Sequence, residues 1–97
     1  MEDAKILALY WERDERAVSE TKSKYGALCH SIALRLLGSE DGAEECVNDA
    51  LLALWNAIPP EKPKPLSAFV GKITRTLAMK RLTREHAAKR SGITVYF

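Results

Sequence analysis

Several residue patterns that mark enzymes and membrane proteins are missing from this chain of 97 residues. It has no apolar run of the roughly 18 residues that a membrane span requires, and its acidic N-terminus does not resemble a secretory signal. There is no glycine-rich phosphate loop, and His30 and His86 belong to no metal or catalytic-triad pattern. We therefore expect a cytoplasmic protein that is not an enzyme, needs no cofactor or metal and has no membrane partner.

Cysteine is scarce as well. Cys29 and Cys46 lie in apolar helical patterns, without a C-x-x-C pair and without paired histidines nearby. This setting favours buried thiols in a reducing compartment over a zinc site or a disulfide.

Proline and glycine are confined to a few places, and no stretch shows the alternation of a strand. The pattern predicts an all-α fold, a compact bundle of about four helices over residues 1–91 with a tail or linker start over 92–97. All four prolines fall within residues 58–65, which predicts one stiff loop between the third and fourth helices.

The residue pattern also predicts the bounds of the helices. The first spans residues 3–12, the second ends at Leu37, the third runs from 39–41 to about 57, and the fourth runs from 65–67 to about 90. Gly38 and Gly92 are the expected stops of the second and fourth helices, and Asp41 and Glu44 have the spacing of a capping box at the start of the third.

Charge is divided unevenly along the chain. Residues 1–60 carry six basic and eleven acidic residues, a balance of −5, whereas residues 61–97 carry nine basic and two acidic residues, a balance of +7. This split favours a polyanion as partner of the basic end and a different partner for the acidic end. Two solvated faces of opposite charge are the alternative.

The third predicted helix has an apolar residue within a polar strip. At about 100° per residue, Leu52 shares one side of the helix with Glu45, Asn48 and Asp49. The opposite side carries the core stripe, which consists of Val47, Ala50, Leu51, Leu54 and Ile58. An apolar anchor ringed by polar groups is typical of a small protein-binding surface, and a scattered surface leucine is the alternative.

The fourth predicted helix begins with a core stripe and then turns basic. The stripe consists of Leu66, Phe69, Val70, Ile73 and Leu77, and the same line continues through Lys80, Arg81 and Arg84. Lys72 and Arg75 widen the positive region on other sides of the helix. A projecting basic helix next to a lysine-bearing loop suits a phosphate backbone, and a solvated helix end is the alternative.

Three segments in this order are similar to a known family. They are YGALCHSIALRLLG at 25–38, DGAEECVNDALLALW at 41–55 and LSAFVGKITRTLA at 66–78. Together they resemble region 2 of the sigma-70 family of transcription initiation factors, most closely its extracytoplasmic-function-like group, over roughly residues 1–90. The resemblance implies a helical, DNA-binding domain of an initiation factor.

The resemblance also implies partners and site residues. The strip of Glu45, Asn48, Asp49 and Leu52 would dock on the coiled coil of the polymerase β′ subunit. The basic helix and the preceding loop would hold the non-template strand of the promoter −10 element in single-stranded form. The implied DNA contacts are Lys62, Lys64, Lys72, Arg75, Thr76, Lys80, Arg81 and Arg84. RNA polymerase core and promoter DNA are thus the expected partners, and an anti-sigma factor is a further candidate.

The chain departs from the family pattern in its promoter-reading helix. Thr76 stands where the family usually has Asn, Lys80 where it has Asp, and Phe69 where it has Trp. The family's base preference is therefore not carried over to this chain. Unpaired bases are commonly held by aromatic stacking, but the loop and the basic helix offer only Phe69, which belongs to the core stripe, so phosphate contacts are favoured over base readout. The family's second helical domain, which reads the −35 element, has no counterpart here, so we expect a domain fragment, and a shortened protein is the alternative.

Two other functions are compatible with the pattern. One is a helical protein-interaction adaptor that binds no nucleic acid. The other is a helix-turn-helix binder of duplex DNA, which fits poorly because the four-proline loop is much longer than a 3–4-residue turn.

Overall fold

The described residues fold into a bundle of four helices, and the proline-rich segment 58–65 is the longest connection between them. In a computed structural model the backbone is described for residues 1–94 and the side chains for residues 1–85. The helices are α1 (Asp3–Trp11), α2 (Arg16–Leu37), α3 (Glu40–Ala57) and α4 (Leu66–Thr94), and the described backbone contains no strand. The all-α prediction of about four helices is confirmed. The end of the predicted tail, 95–97, lies outside the described residues, and the domain boundary at residue 91 stays a prediction.

The helix α2 lies at the centre of the bundle and contacts each of the other three helices. The main core includes Ile6 and Tyr10 of α1, Cys29 of α2, Leu54 of α3 and Val70 of α4, all fully buried. A second, smaller cluster is made of short side chains, Ala33, Ala43, Cys46 and Ala78. Such short side chains allow the backbones of α2, α3 and α4 to approach closely here.

The boundaries of α2 and α3 follow from local capping. Gly38 ends α2 in the left-handed conformation at φ 69°, as predicted, and donates its N–H to the carbonyl of Leu34. Ser39 caps α3, because its hydroxyl accepts a hydrogen bond from the N–H of Gly42 at 3.2 Å. The residue that caps α3 is therefore Ser39, and the predicted capping box of Asp41 and Glu44 is not the cap.

Helix α4 differs from its prediction in length and in its buried face. It continues through Gly92 to Thr94, so the predicted stop at Gly92 is wrong. Its most deeply buried positions run in steps of four, Leu66, Val70, Thr74 and Ala78, while Phe69, Ile73 and Leu77 are half-buried. The apolar pattern missed Thr74 because it is polar, yet its hydroxyl donates to the carbonyl of Val70 at 2.9 Å and is thereby satisfied.

Both cysteines are free and buried, as predicted. The Sγ atom of Cys29 lies 3.2 Å from the hydroxyl of Thr74, and that of Cys46 lies 3.7 Å from the Thr74 carbonyl. Burial raises the pKa of each thiol. Both therefore stay protonated near neutral pH and act as small core side chains.

The turn between α1 and α2 is tied to the end of α3 by one arginine. Arg13 adopts a left-handed φ of 56°, and the N–H of Asp14 bonds the carbonyl of Leu9 at 2.9 Å, which is a Schellman turn with arginine in the usual glycine position. The guanidinium donates to the carbonyls of Trp55 at 2.7 Å and Ile58 at 2.8 Å. It also lies 3.7 Å from the centre of the Trp55 ring. This contact fixes the start of the proline-rich loop.

Candidate functional site

The predicted polar strip of α3 forms one exposed surface. Asn48 and Asp49 lie three and four residues after Glu45, Leu52 lies four and three residues after them, and all four are exposed. Leu52 leaves 59% of its surface open, whereas the adjacent Leu51 is buried. We call these four residues the α3 strip; the structure brings together all the residues that the sequence assigned to it.

A groove between α2 and α3 runs beside the α3 strip. Its walls are Glu15, which directly precedes α2, Val18, Ser19 and Lys22 from α2, and Asn48, Leu51, Leu52 and Trp55 from α3. A second groove continues past Asn48 and Lys22 towards His30. The sequence alone does not reveal this groove, because it exists only once α2 and α3 lie side by side. Its apolar floor and polar rim suit side chains from a partner helix.

The outer face of α4 carries most of the exposed basic residues assigned to DNA. Arg75, Thr76 and Lys80 line a shallow groove together with Met79 and Thr83. Lys72 is exposed one turn earlier, and Arg84 is exposed one turn later. Met79, with 44% of its surface open, was missed by sequence reasoning, because a methionine between basic residues gives no signal of its own.

Arg81 points in a different direction from these residues. Arg81 comes seven residues, or about two helical turns, after the buried Thr74, so it lies on the side of α4 that faces the bundle. Its guanidinium forms an ion pair with Glu45 of the α3 strip, and its Nε lies 3.9 Å from the carboxylate of Glu85. Only 28% of its side chain is open to solvent. Arg81 is thus set apart from the outer face, and its role as a DNA contact stays a prediction.

The loop lysines lie beside α1 at the other end of α4. Lys62 and Lys64 are exposed and line a groove with Asp3, Ala4 and Leu7 of α1. The ammonium of Lys62 lies 5.2 Å from the centre of the Trp11 ring. Because α4 rises about 1.5 Å per residue, Arg84 lies roughly 27 Å along its axis from Leu66. The predicted DNA residues therefore form an extended set rather than one cluster.

The start of α1, which borders this loop groove, is held by a carboxylate. Asp3 Oδ1 accepts hydrogen bonds from Lys24 Nζ at 2.8 Å and from the Tyr25 hydroxyl at 2.7 Å. The bond from Lys24, and then that from Tyr25, lowers the pKa of Asp3. Burial, and then the neighbouring Asp3 carboxylate, raises the pKa of Tyr25. These contacts fix the start of α1 against α2.

Other kinds of site are not found in the part of the chain that the structure describes. Over those residues, no three His, Cys, Asp or Glu side chains are grouped so as to hold a metal ion. Over the same residues, no helix has the length and hydropathy of a membrane span.

Comparison with known proteins gives one match. A family model described as Sigma-70 region 2 matches residues 23–88, most of the 97-residue chain. It extends from the middle of α2 through α3 and the loop into α4, and so includes both the α3 strip and the outer face of α4. The searches of curated proteins and of solved structures found no match.

Proposed function

The chain belongs to the sigma-70 region 2 family, and from this premise we propose that it binds the coiled coil of the polymerase β′ subunit and the unpaired non-template strand of the promoter −10 element. Membership confirms the resemblance drawn from the three sequence segments and makes the chain a sigma factor domain of transcription initiation. Domains of this family are non-enzymatic, and we propose the same for this chain. Its place in the extracytoplasmic-function-like group stays a prediction.

The α3 strip is the proposed polymerase contact, and the exposure of Leu52 is the observation that supports this most strongly. Leu52, with 59% of its surface open between Glu45, Asn48 and Asp49, is not part of the buried core of the bundle. In a complex it becomes a buried anchor with a polar rim. The groove between α2 and α3 beside it accepts the ridge of a partner helix, which is what a coiled coil presents.

The outer face of α4 is the proposed DNA contact. Lys72, Arg75 and Lys80 are exposed, and none of them has an acidic partner among the side chains that the structure describes. The hydroxyl of Thr76 adds a neutral donor on the same face. Since cations and hydroxyl groups are the usual phosphate ligands, this face is suited to bind the backbone of a strand.

The DNA part of the proposal is tested by titrating a fluorescent single-stranded −10 oligonucleotide at several salt concentrations. Affinity is expected to fall with salt at a logarithmic slope of about −0.7 for each phosphate contacted. The variant Lys72→Ala, Arg75→Ala should bind more weakly and with a shallower slope. Lys5→Ala, Arg35→Ala removes the same charge elsewhere and is the matched control.

Each other outcome of this titration has a defined meaning. A slope near zero contradicts phosphate binding by α4. Preference for duplex over single-stranded DNA would support the helix-turn-helix alternative. Absence of any DNA binding at low salt, with retained binding to a protein partner, would support the adaptor alternative.

A further inference from the structure

Trp11 is an exposed aromatic residue that lies outside the hydrophobic core. It is the last residue of α1, and 44% of its surface is open, whereas the preceding Tyr10 is fully buried. The hydroxyl of Tyr10 lies 2.7 Å from that of Thr21, so Tyr10 anchors this end of α1 to α2. The fold therefore needs the ring of Trp11 far less than that of its neighbour.

The loop holds cations next to this ring. The ammonium of Lys62 lies 5.2 Å from the centre of the Trp11 ring, and Lys64 is exposed two residues further on. Ile58 and Leu66, at the two ends of the loop, are buried, so the loop is fastened at both sides of the lysines. Prolines within the loop restrict its backbone further.

We propose that Trp11 is a stacking platform for one unpaired base of a single-stranded nucleic acid, with Lys62 and Lys64 on the flanking phosphates. The proposal rests on the proposed function and assigns a base-binding position to it. The matched family segment begins at residue 23, so this position lies on a helix outside that match. Sequence reasoning found no aromatic for stacking in the loop or α4 except Phe69, which is half-buried against the core.

A nucleotide fits this site better than a protein side chain does. Stacking of a base on an aromatic ring is stronger than an exposed cation–π contact, so a base displaces the Lys62 ammonium from the ring. The ammonium is then free to bind the phosphate of the same or the next nucleotide. An apolar protein side chain would cover the ring but bring no negative charge to the two lysines.

The test compares Trp11 variants in their binding to single-stranded −10 DNA. Trp11→Ala is expected to weaken binding about tenfold, and Trp11→Phe by less than about twofold, because phenylalanine retains a stacking face. The salt slope should be unchanged in Trp11→Ala, since stacking releases no counterions, but about 1.4 shallower in Lys62→Ala, Lys64→Ala. Leu28→Ala, which truncates another exposed apolar residue, should bind as the unmodified chain does.

A second measurement identifies the stacked base and does not depend on a variant. Oligonucleotides carrying 5-iododeoxyuridine at single positions are irradiated with the unmodified chain, and the cross-linked peptide is identified by mass spectrometry. Cross-linking of one position to Trp11 supports the platform. Cross-links confined to other residues overturn it.

The outcomes separate this proposal from the function on which it rests. Full affinity in Trp11→Ala, together with weak binding in Lys72→Ala, Arg75→Ala, overturns the stacking platform and leaves DNA binding by α4 in place. No binding of single-stranded DNA by the unmodified chain overturns both.

Discussion

Glu45 of α3 and Arg81 of α4 form an ion pair that links the α3 strip to the bundle-facing side of α4. Glu45 is the first residue of the α3 strip, and Arg81 is the one DNA-assigned residue on the bundle-facing side of α4. The carboxylate of Glu85 lies near the same guanidinium. The positive charge of Arg81 is therefore largely matched within the protein.

This pairing predicts that Arg81 and Lys80 behave differently towards DNA. Lys80→Ala should weaken binding of a single-stranded −10 oligonucleotide and make the salt slope shallower by about 0.7. Arg81→Ala should change the affinity by less than about twofold, because its charge already has partners. Salt-dependent fluorescence anisotropy measures both. Equal losses in the two variants would show that Arg81 leaves Glu45 to bind DNA.

The same pair predicts a small stability coupling. A double-mutant cycle over Glu45→Ala and Arg81→Ala should give a coupling free energy of only about 0.5 kcal/mol, because Glu45 is 62% exposed and solvent screens the attraction. Urea unfolding of the four proteins measures the coupling. A value near zero would mean that the pair does not persist in solution.

At position 13, replacement by glycine is expected to destabilise the fold less than replacement by alanine. Arg13→Ala removes the hydrogen bonds to Trp55 and Ile58 and should lower the free energy of unfolding by about 2 kcal/mol. Arg13→Gly loses the same bonds but relieves the left-handed φ of 56°, so it should be about 1 kcal/mol more stable than Arg13→Ala. Urea denaturation ranks the variants, and the reverse order would contradict the Schellman assignment.

The contacts of Asp3 predict how the stability of the fold depends on pH. The pKa of Asp3 is lowered in the folded chain by Lys24 and Tyr25. Its contribution to stability is therefore fully present above the unfolded-state value of about 4, and is lost as the pH falls through the folded-state pKa. Asp3→Asn should be less stable than the unmodified chain at pH 6, and the difference should shrink as the pH falls below 4. Thermal unfolding across this range measures it, and a pH-independent difference would exclude the ion pair as its cause.

The presence of the helices and the membership of the α3 strip could be predicted from the sequence, because both follow from the spacing of residues along a single helix. The repeat that places Leu52 opposite Leu54 is read directly from the residue spacing. Gly38 was predictable for the same reason, since its left-handed conformation is a local requirement at a helix end.

The features that sequence reasoning missed depend on contacts between segments far apart in the chain. Thr74 is polar and could be placed in the core only once its contact with Cys29, 45 residues earlier, was visible. Arg81 was grouped with the basic residues because its partner Glu45 lies 36 residues earlier. Trp11 meets Lys62 only because the loop folds back against α1.

Binding of the polymerase β′ coiled coil by the α3 strip is the claim on which the account chiefly rests, and isothermal titration tests it directly. Asp49→Ala, Leu52→Ala removes two exposed side chains, so helical content and unfolding should be unchanged. Glu12→Ala, Leu28→Ala removes an exposed acid and an exposed leucine elsewhere and is the matched control. The account predicts at least about a tenfold loss of affinity in the first variant and none in the control. Unchanged affinity in the first variant would contradict it.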